Sequence, residues 1–116
     1  MAKEIILYSD INRYSSEAFI SALEEAKNED IVVRMNTNGG DPEYTYGMIA
    51  KLQEKKAGKK TLRIDGKAHS SGLFIVPFFD NVEALDASKG LLHRAAYPSF
   101  VESDRELFTE TRKKKI

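Results

Sequence analysis

Three short stretches of this chain carry side chains and backbone that could do acyl-transfer chemistry. Gly66-Lys67-Ala68-His69-Ser70-Ser71-Gly72 lies where an apolar strand hands over to an apolar helix. A serine at such a junction can be held in a tight turn at the helix's amino end, where unpaired amides and the helix dipole favour developing negative charge. The same serine, or Ser71, can also serve only as a helix cap. Asn36-Thr37-Asn38-Gly39-Gly40-Asp41 follows an earlier strand. Adjacent glycines let the backbone approach a ligand and turn amides toward it, as an oxyanion hole requires, or they simply make a strand-to-helix turn. The spacing is not the G-x-G-x-x-G of a dinucleotide site. His93 ends a third apolar run, and the other histidine, His69, adjoins Ser70. In extended backbone neighbouring side chains point to opposite sides, so His93 is the better candidate base. A hydrogen-bonded structural role for it stays open.

The elements that must position these residues can be read from periodicity. Ile5 to Tyr8 and Ile31 to Met35 are short β-branched runs that read as buried strands. Between them Ser15 to Lys27 sets Phe19, Ile20, Leu23 and Ala26 on one helical stripe, with Ser15 or Ser16 available as cap. The order repeats with the glycine loop, a helix from about Glu43 to Lys55 with Tyr44, Met48, Ile49 and Leu52 inward, and a strand from Thr61 to Asp65. Alternating strands and helices predict an α/β fold with a mostly parallel sheet. Ser70 to Phe79 reads as a helix buried on all sides that Pro77 ends or kinks. Val82 to Leu85 and Lys89 to His93 read as two more strands, with an extended piece through Pro98. The capping-box spacing of Ser103-Asp104-Arg105-Glu106 predicts a last helix, and the basic run from Arg112 reads as a solvated end.

The 116 residues suit one domain over 1–116, with 41% apolar and 31% charged residues, a soluble globular mixture. Eighteen cationic residues balance eighteen anionic ones, so no overall field draws the chain to nucleic acid or an anionic membrane. Without cysteine there is no disulfide, no thiolate metal site and no cysteine nucleophile. The amino end lacks the order of a secretory signal, and the longest apolar stretch, Leu73 to Phe79, is far short of the ~20 residues of a membrane span. A cytoplasmic location is the expectation.

Taken in order, Asn-x-Asn-Gly-Gly, then Gly-x-Ala-x-Ser, then Leu-Leu-His resemble the proteolytic subunit of Clp protease. That family has an Asn-Ser-Pro-Gly-Gly loop, a Gly-x-Ala-Ala-Ser-Met-Gly nucleophile turn and a Met-Ile-His-x-Pro strand. The resemblance spans nearly the whole chain and is closest to the divergent phage or mobile-element type. It implies the ClpP/crotonase superfold of repeated β-α units and a serine endopeptidase with Ser70 as nucleophile and His93 as base. Gly40 and the amide of Ser71 then match the oxyanion hole. Asp41, Pro42 and Glu43, with Arg94, Ala95 and Ala96, match the segments that hold an extended substrate. The implied partners are a polypeptide substrate, further copies of the chain in a ring, and an ATP-dependent unfoldase; the chemistry needs no cofactor and no metal. Thr37-Asn38 stands where the family has Ser-Pro, His69 for alanine, Ser71 for methionine, and Arg94-Ala95-Ala96 for the Gln-Pro segment. The family's third catalytic residue, an aspartate some fifty residues beyond the histidine, has no counterpart in the 23 residues after His93. Two other functions stay open: a catalytically inert module of the same fold, which the absent acid favours, and a crotonase-type acyl-CoA enzyme, which shares the superfold.

Overall fold

The computed structural model describes residues 2–85. The apolar runs become four strands, β1 (Lys3–Leu7), β2 (Ile31–Thr37), β3 (Lys60–Ala68) and β4 (Asn81–Ala84). Between them lie α1 (Arg13–Ala26), α2 (Pro42–Glu54) and a 3-10 helix, Ser70–Phe78. Every neighbouring pair of strands is parallel, in the order β1-β2-β3-β4. The expected strand Lys89 to His93, the extended piece through Pro98, the helix near Ser103 and the basic end lie outside the described residues.

Period-two alternation decides the two faces of the sheet. Ile5, Leu7, Val33, Met35, Leu62 and Ile64 point to one side and are buried. Register aligns Ile5 with Val33 and Val33 with Leu62, and Leu7 with Met35 and Met35 with Ile64. Phe19, Leu23 and Ala26 of α1, Met48 and Leu52 of α2, and Ile75 and Val76 of the 3-10 helix join the same core. The opposite face keeps Glu4, Ile6, Arg63 and Glu83 exposed. It is laced by charge: Arg34 Nε meets Asp65 Oδ2 at 2.8 Å, Tyr8 donates its phenol to the same carboxylate, and Arg63 reaches Glu83 at 3.6 Å.

Both helix starts are capped by the residue just before the first turn. The Asn12 side chain accepts from the Ser15 N–H and the Ser15 hydroxyl accepts from the Asn12 N–H, a reciprocal capping box. The cap of α1 is therefore Asn12 and not Ser15 or Ser16, because the helix begins two residues earlier than the apolar stripe suggests. In α2 Asp41 caps through the Glu43 N–H, and Pro42 occupies the first helical position, where a missing N–H costs nothing. At the other end of α2 the Lys60 ammonium, with the residue only 5% exposed, donates to the carbonyls of Leu52 and Lys55. It supplies donors that the last helical turn lacks. The Lys55 ammonium in turn donates to Lys27, Glu29 and Ala57 carbonyls, and burial followed by the nearby Lys60 charge lowers its pKa.

The segment after β3 is helical, as its apolarity predicts, but departs from the expected burial. It is a 3-10 helix, and it is not buried on all sides, since Ser70 is exposed and Phe74 is 46% exposed. Pro77 has no N–H and in an α-helix would press on the carbonyl of Leu73. The Gly72 N–H bonds to the His69 carbonyl at 2.9 Å, the three-residue closure of the tighter helix.

The Arg34 guanidinium, bonded to Asp65, holds that carboxyl below its ordinary pKa, with the Tyr8 phenol acting in the same direction. A depressed folded pKa gives stability that is present above the ordinary carboxylate value and is lost as pH falls through the folded one. Asp65→Asn should lower stability at pH 7 by about 1 kcal/mol. It should also flatten the pH dependence of unfolding below about pH 4, read by urea melts across pH.

Candidate active site

The site begins with a break in the sheet register. Met35 pairs with Ile64, but Thr37 pairs with Ala68, so β3 uses two more residues than β2 over this stretch. The extra length is a bulge, and bulges bend a strand and re-aim the residues beyond them. Asn36 holds it: its side-chain oxygen accepts the Lys67 N–H at 3.0 Å. The Thr37 carbonyl then accepts the His69 N–H at 3.2 Å, and the Thr37 hydroxyl accepts the Gly39 N–H at 3.1 Å. One short stretch at the end of β2 thus ties down both the turn before Ser70 and the double-glycine loop.

In that turn Ser70 has φ 52°, the left-handed region that is costly for a residue with a Cβ. Ser70 is exposed, whereas Ser71 is 2% exposed. Gly39 (φ 98°) packs so closely here that an added Cβ would stand 2.7 Å from the Ser70 Cβ and 3.1 Å from the Ser71 nitrogen. The loop cannot carry a side chain at that point.

Gly40 (φ 154°) lies in a near-extended stretch whose hydrogen-bonding groups alternate between two sides. On one side the Gly39 carbonyl accepts from Ile11 and the Asp41 N–H donates to the Ile11 carbonyl, at 2.7 and 3.1 Å. On the other side the Gly40 N–H and C=O both meet the Ser71 hydroxyl, each at 3.1 Å. An added Cβ on Gly40 would lie 2.0 Å from the Ile11 carbonyl oxygen.

The structure therefore brings Ser70, Ser71 and Gly40 together, with Asp41, Pro42 and Glu43 exposed directly beyond the loop. His93, Arg94, Ala95 and Ala96 lie outside the described residues. Sequence reasoning missed Asn36 and Ile11 as positioning residues. Asparagine disfavours a strand interior, which was the available signal for a bulge clamp at the end of β2. Ile11 gave none, because its contribution is its backbone.

A family model described as Clp protease matches residues 1–106. The chain belongs to the Clp protease family. Its fold is similar to the crystal structure of the ClpP protease catalytic domain from Plasmodium falciparum, with a TM-score of 0.64 and 16% sequence identity. The alignment covers 97% of this chain and 66% of that one, so this Clp-family chain spans about two thirds of the length of the structure it matches. No curated protein sequence matches it. Among the described residues no helix is long and apolar enough to cross a membrane.

Gly40→Ala tests the steric reading of this Clp-type loop. The methyl cannot coexist with the Ile11 carbonyl and the backbone angle is unfavourable, so the loop must move. The variant should lose about 2 kcal/mol or more in chemical denaturation. A control substitution at exposed Ala50, Ala50→Ser, should cost well under about 1 kcal/mol.

Proposed function

We propose that this Clp-family chain is a serine endopeptidase domain in which Ser70 is the nucleophile and His93 the general base. The observation that carries the reading is the Ser70 turn: an exposed serine in left-handed backbone, at the exit of a parallel strand, packed against a double-glycine loop. Strained turns of this kind raise a serine hydroxyl clear of the sheet and set it beside backbone donors.

In this reading the Ser70 oxygen attacks the scissile carbonyl carbon as its proton passes to the His93 imidazole. The amides of Gly40 and Ser71 take the charge that gathers on the carbonyl oxygen. His93 returns the proton to the departing amine, and the C–N bond breaks to leave an acyl ester on Ser70. Water then adds to the ester carbon while giving a proton to His93, and that proton goes back to the Ser70 oxygen as the acid leaves. The backbone at Asp41 to Glu43 and Arg94 to Ala96 would hold the polypeptide substrate extended, as an added strand. The family also suggests a ring of copies and an ATP-dependent unfoldase as partners, in the cytoplasm.

The alternative with a specific observation behind it is an inert module of the same fold. Its support is that the Gly40 N–H is already bonded to the Ser71 hydroxyl. Among the described residues Asp65 is tied to Arg34 and Tyr8 on the open sheet face, so it makes a poor orienting acid for a histidine.

A fluorophosphonate probe with peptide mapping separates the two readings. Labelling should fall on Ser70 and vanish in Ser70→Ala, and His93→Ala should lower peptide hydrolysis by at least about a thousandfold. A wild-type protein that is folded yet neither labels at Ser70 nor cleaves any peptide favours the inert module.

A further inference from the structure

We infer that the Ser71 side chain is a lock on the oxyanion site, one that must open before the Gly40 amide can receive charge from a substrate. The inference rests on the peptidase reading above and concerns the regulation of that same site.

The Ser71 hydroxyl accepts from the Gly40 N–H and donates to the Gly40 C=O. A near-extended residue presents these two groups side by side, as it would to a neighbouring strand. The hydroxyl therefore sits where a carbonyl oxygen would have to come to use the Gly40 donor. Both sites cannot be served by one N–H at full strength, because the donor has a single proton.

Geometry around the pair explains why the lock is the resting arrangement. Gly40 is held from behind by Ile11, which bonds the Gly39 carbonyl and the Asp41 N–H, so the loop cannot turn its free edge elsewhere. Ser71 is 2% exposed, so its hydroxyl has little access to water. Swinging it away from Gly40 would leave a buried hydroxyl to find a new partner, a cost that holds the lock shut. The residue before it, Ser70, is exposed. The nucleophile is thus presented while one of its two expected oxyanion donors is engaged.

Opening the lock costs roughly one hydrogen bond, so removing the hydroxyl should return a factor of a few in rate. The test pairs two readouts on wild type, Ser71→Ala and Ser71→Cys, the last keeping bulk with a weak donor and acceptor. The first is amide hydrogen exchange at Gly40 by NMR, with the β2 and β3 amides reporting that the fold is kept. The second is the rate of fluorophosphonate labelling at Ser70. Ser71→Ala should speed Gly40 exchange about tenfold and labelling by about three- to tenfold, with Ser71→Cys between it and wild type. A Gly40 amide that stays protected in Ser71→Ala overturns the lock. So does a freed Gly40 amide with unchanged or slower labelling, which would make the hydroxyl a support for the loop. If the Gly40 amide is freed and Ser70 labels in neither protein, the peptidase reading falls, and the lock falls with it as a catalytic device.

Discussion

Everything near Ser70 depends on one register offset between two parallel strands. Between the Met35–Ile64 and Thr37–Ala68 pairs, β3 carries two residues more than β2. Parallel strands in register would deliver their ends side by side at the same level. The offset delays β3, so its exit turn comes back against the loop that leaves β2. Asn36 is what makes the bulge stable, by giving the displaced Lys67 N–H an acceptor. A backbone amide lifted out of the ladder would otherwise have to find water or remain unpaired.

From that offset the rest of the site is set by hydrogen-bond direction. The Gly39 to Asp41 stretch has two edges, one answered by Ile11 after β1 and the other by Ser71 after β3. Three crossings of the sheet thus converge on one short loop. The glycine at position 40 is needed because the Ile11 carbonyl occupies the place of its Cβ, and the one at 39 because the Ser70 turn does the same. The loop is an assembly of close backbone approaches, which also makes it intolerant of side chains.

The two faces of the sheet carry different kinds of order. One is apolar and packed by both helices and the 3-10 segment; the other is a ladder of charge and phenol centred on Asp65. Parallel sheets usually have both faces covered. Among the described residues this face is met by solvent instead, and Ile6, 60% exposed, and Tyr8 stand among its charges.

Much of this fold is legible in the chain. Short β-branched runs and amphipathic stripes are local patterns, and the helical stripe alone gives the burial of Phe19, Leu23 and Met48. The run Ile5 to Tyr8 reads as buried throughout, yet Ile6 and Tyr8 face outward because the strand's other face is not covered among the described residues. The resemblance to the Clp family rests on three short motifs, equally local. The apolar stripe points to Ser15 or Ser16 as the cap of α1, yet Asn12 lies outside that stripe, and capping is a matter of which backbone groups are left unpaired. Continuous apolarity after Ser70 reads as a helix buried on all sides, but the segment, with Pro77 inside it, is a 3-10 helix that leaves Phe74 46% exposed. Sequence alone determined which helical stripes seek the core, where a glycine pair breaks the chain after a strand and that a serine pair stands between the next strand and a helix, since those are properties of single residues and near neighbours. Only the folded chain decided that the Ser71 hydroxyl meets the Gly40 amide, because that contact depends on a bulge between strands whose bonded partners lie 31 residues apart.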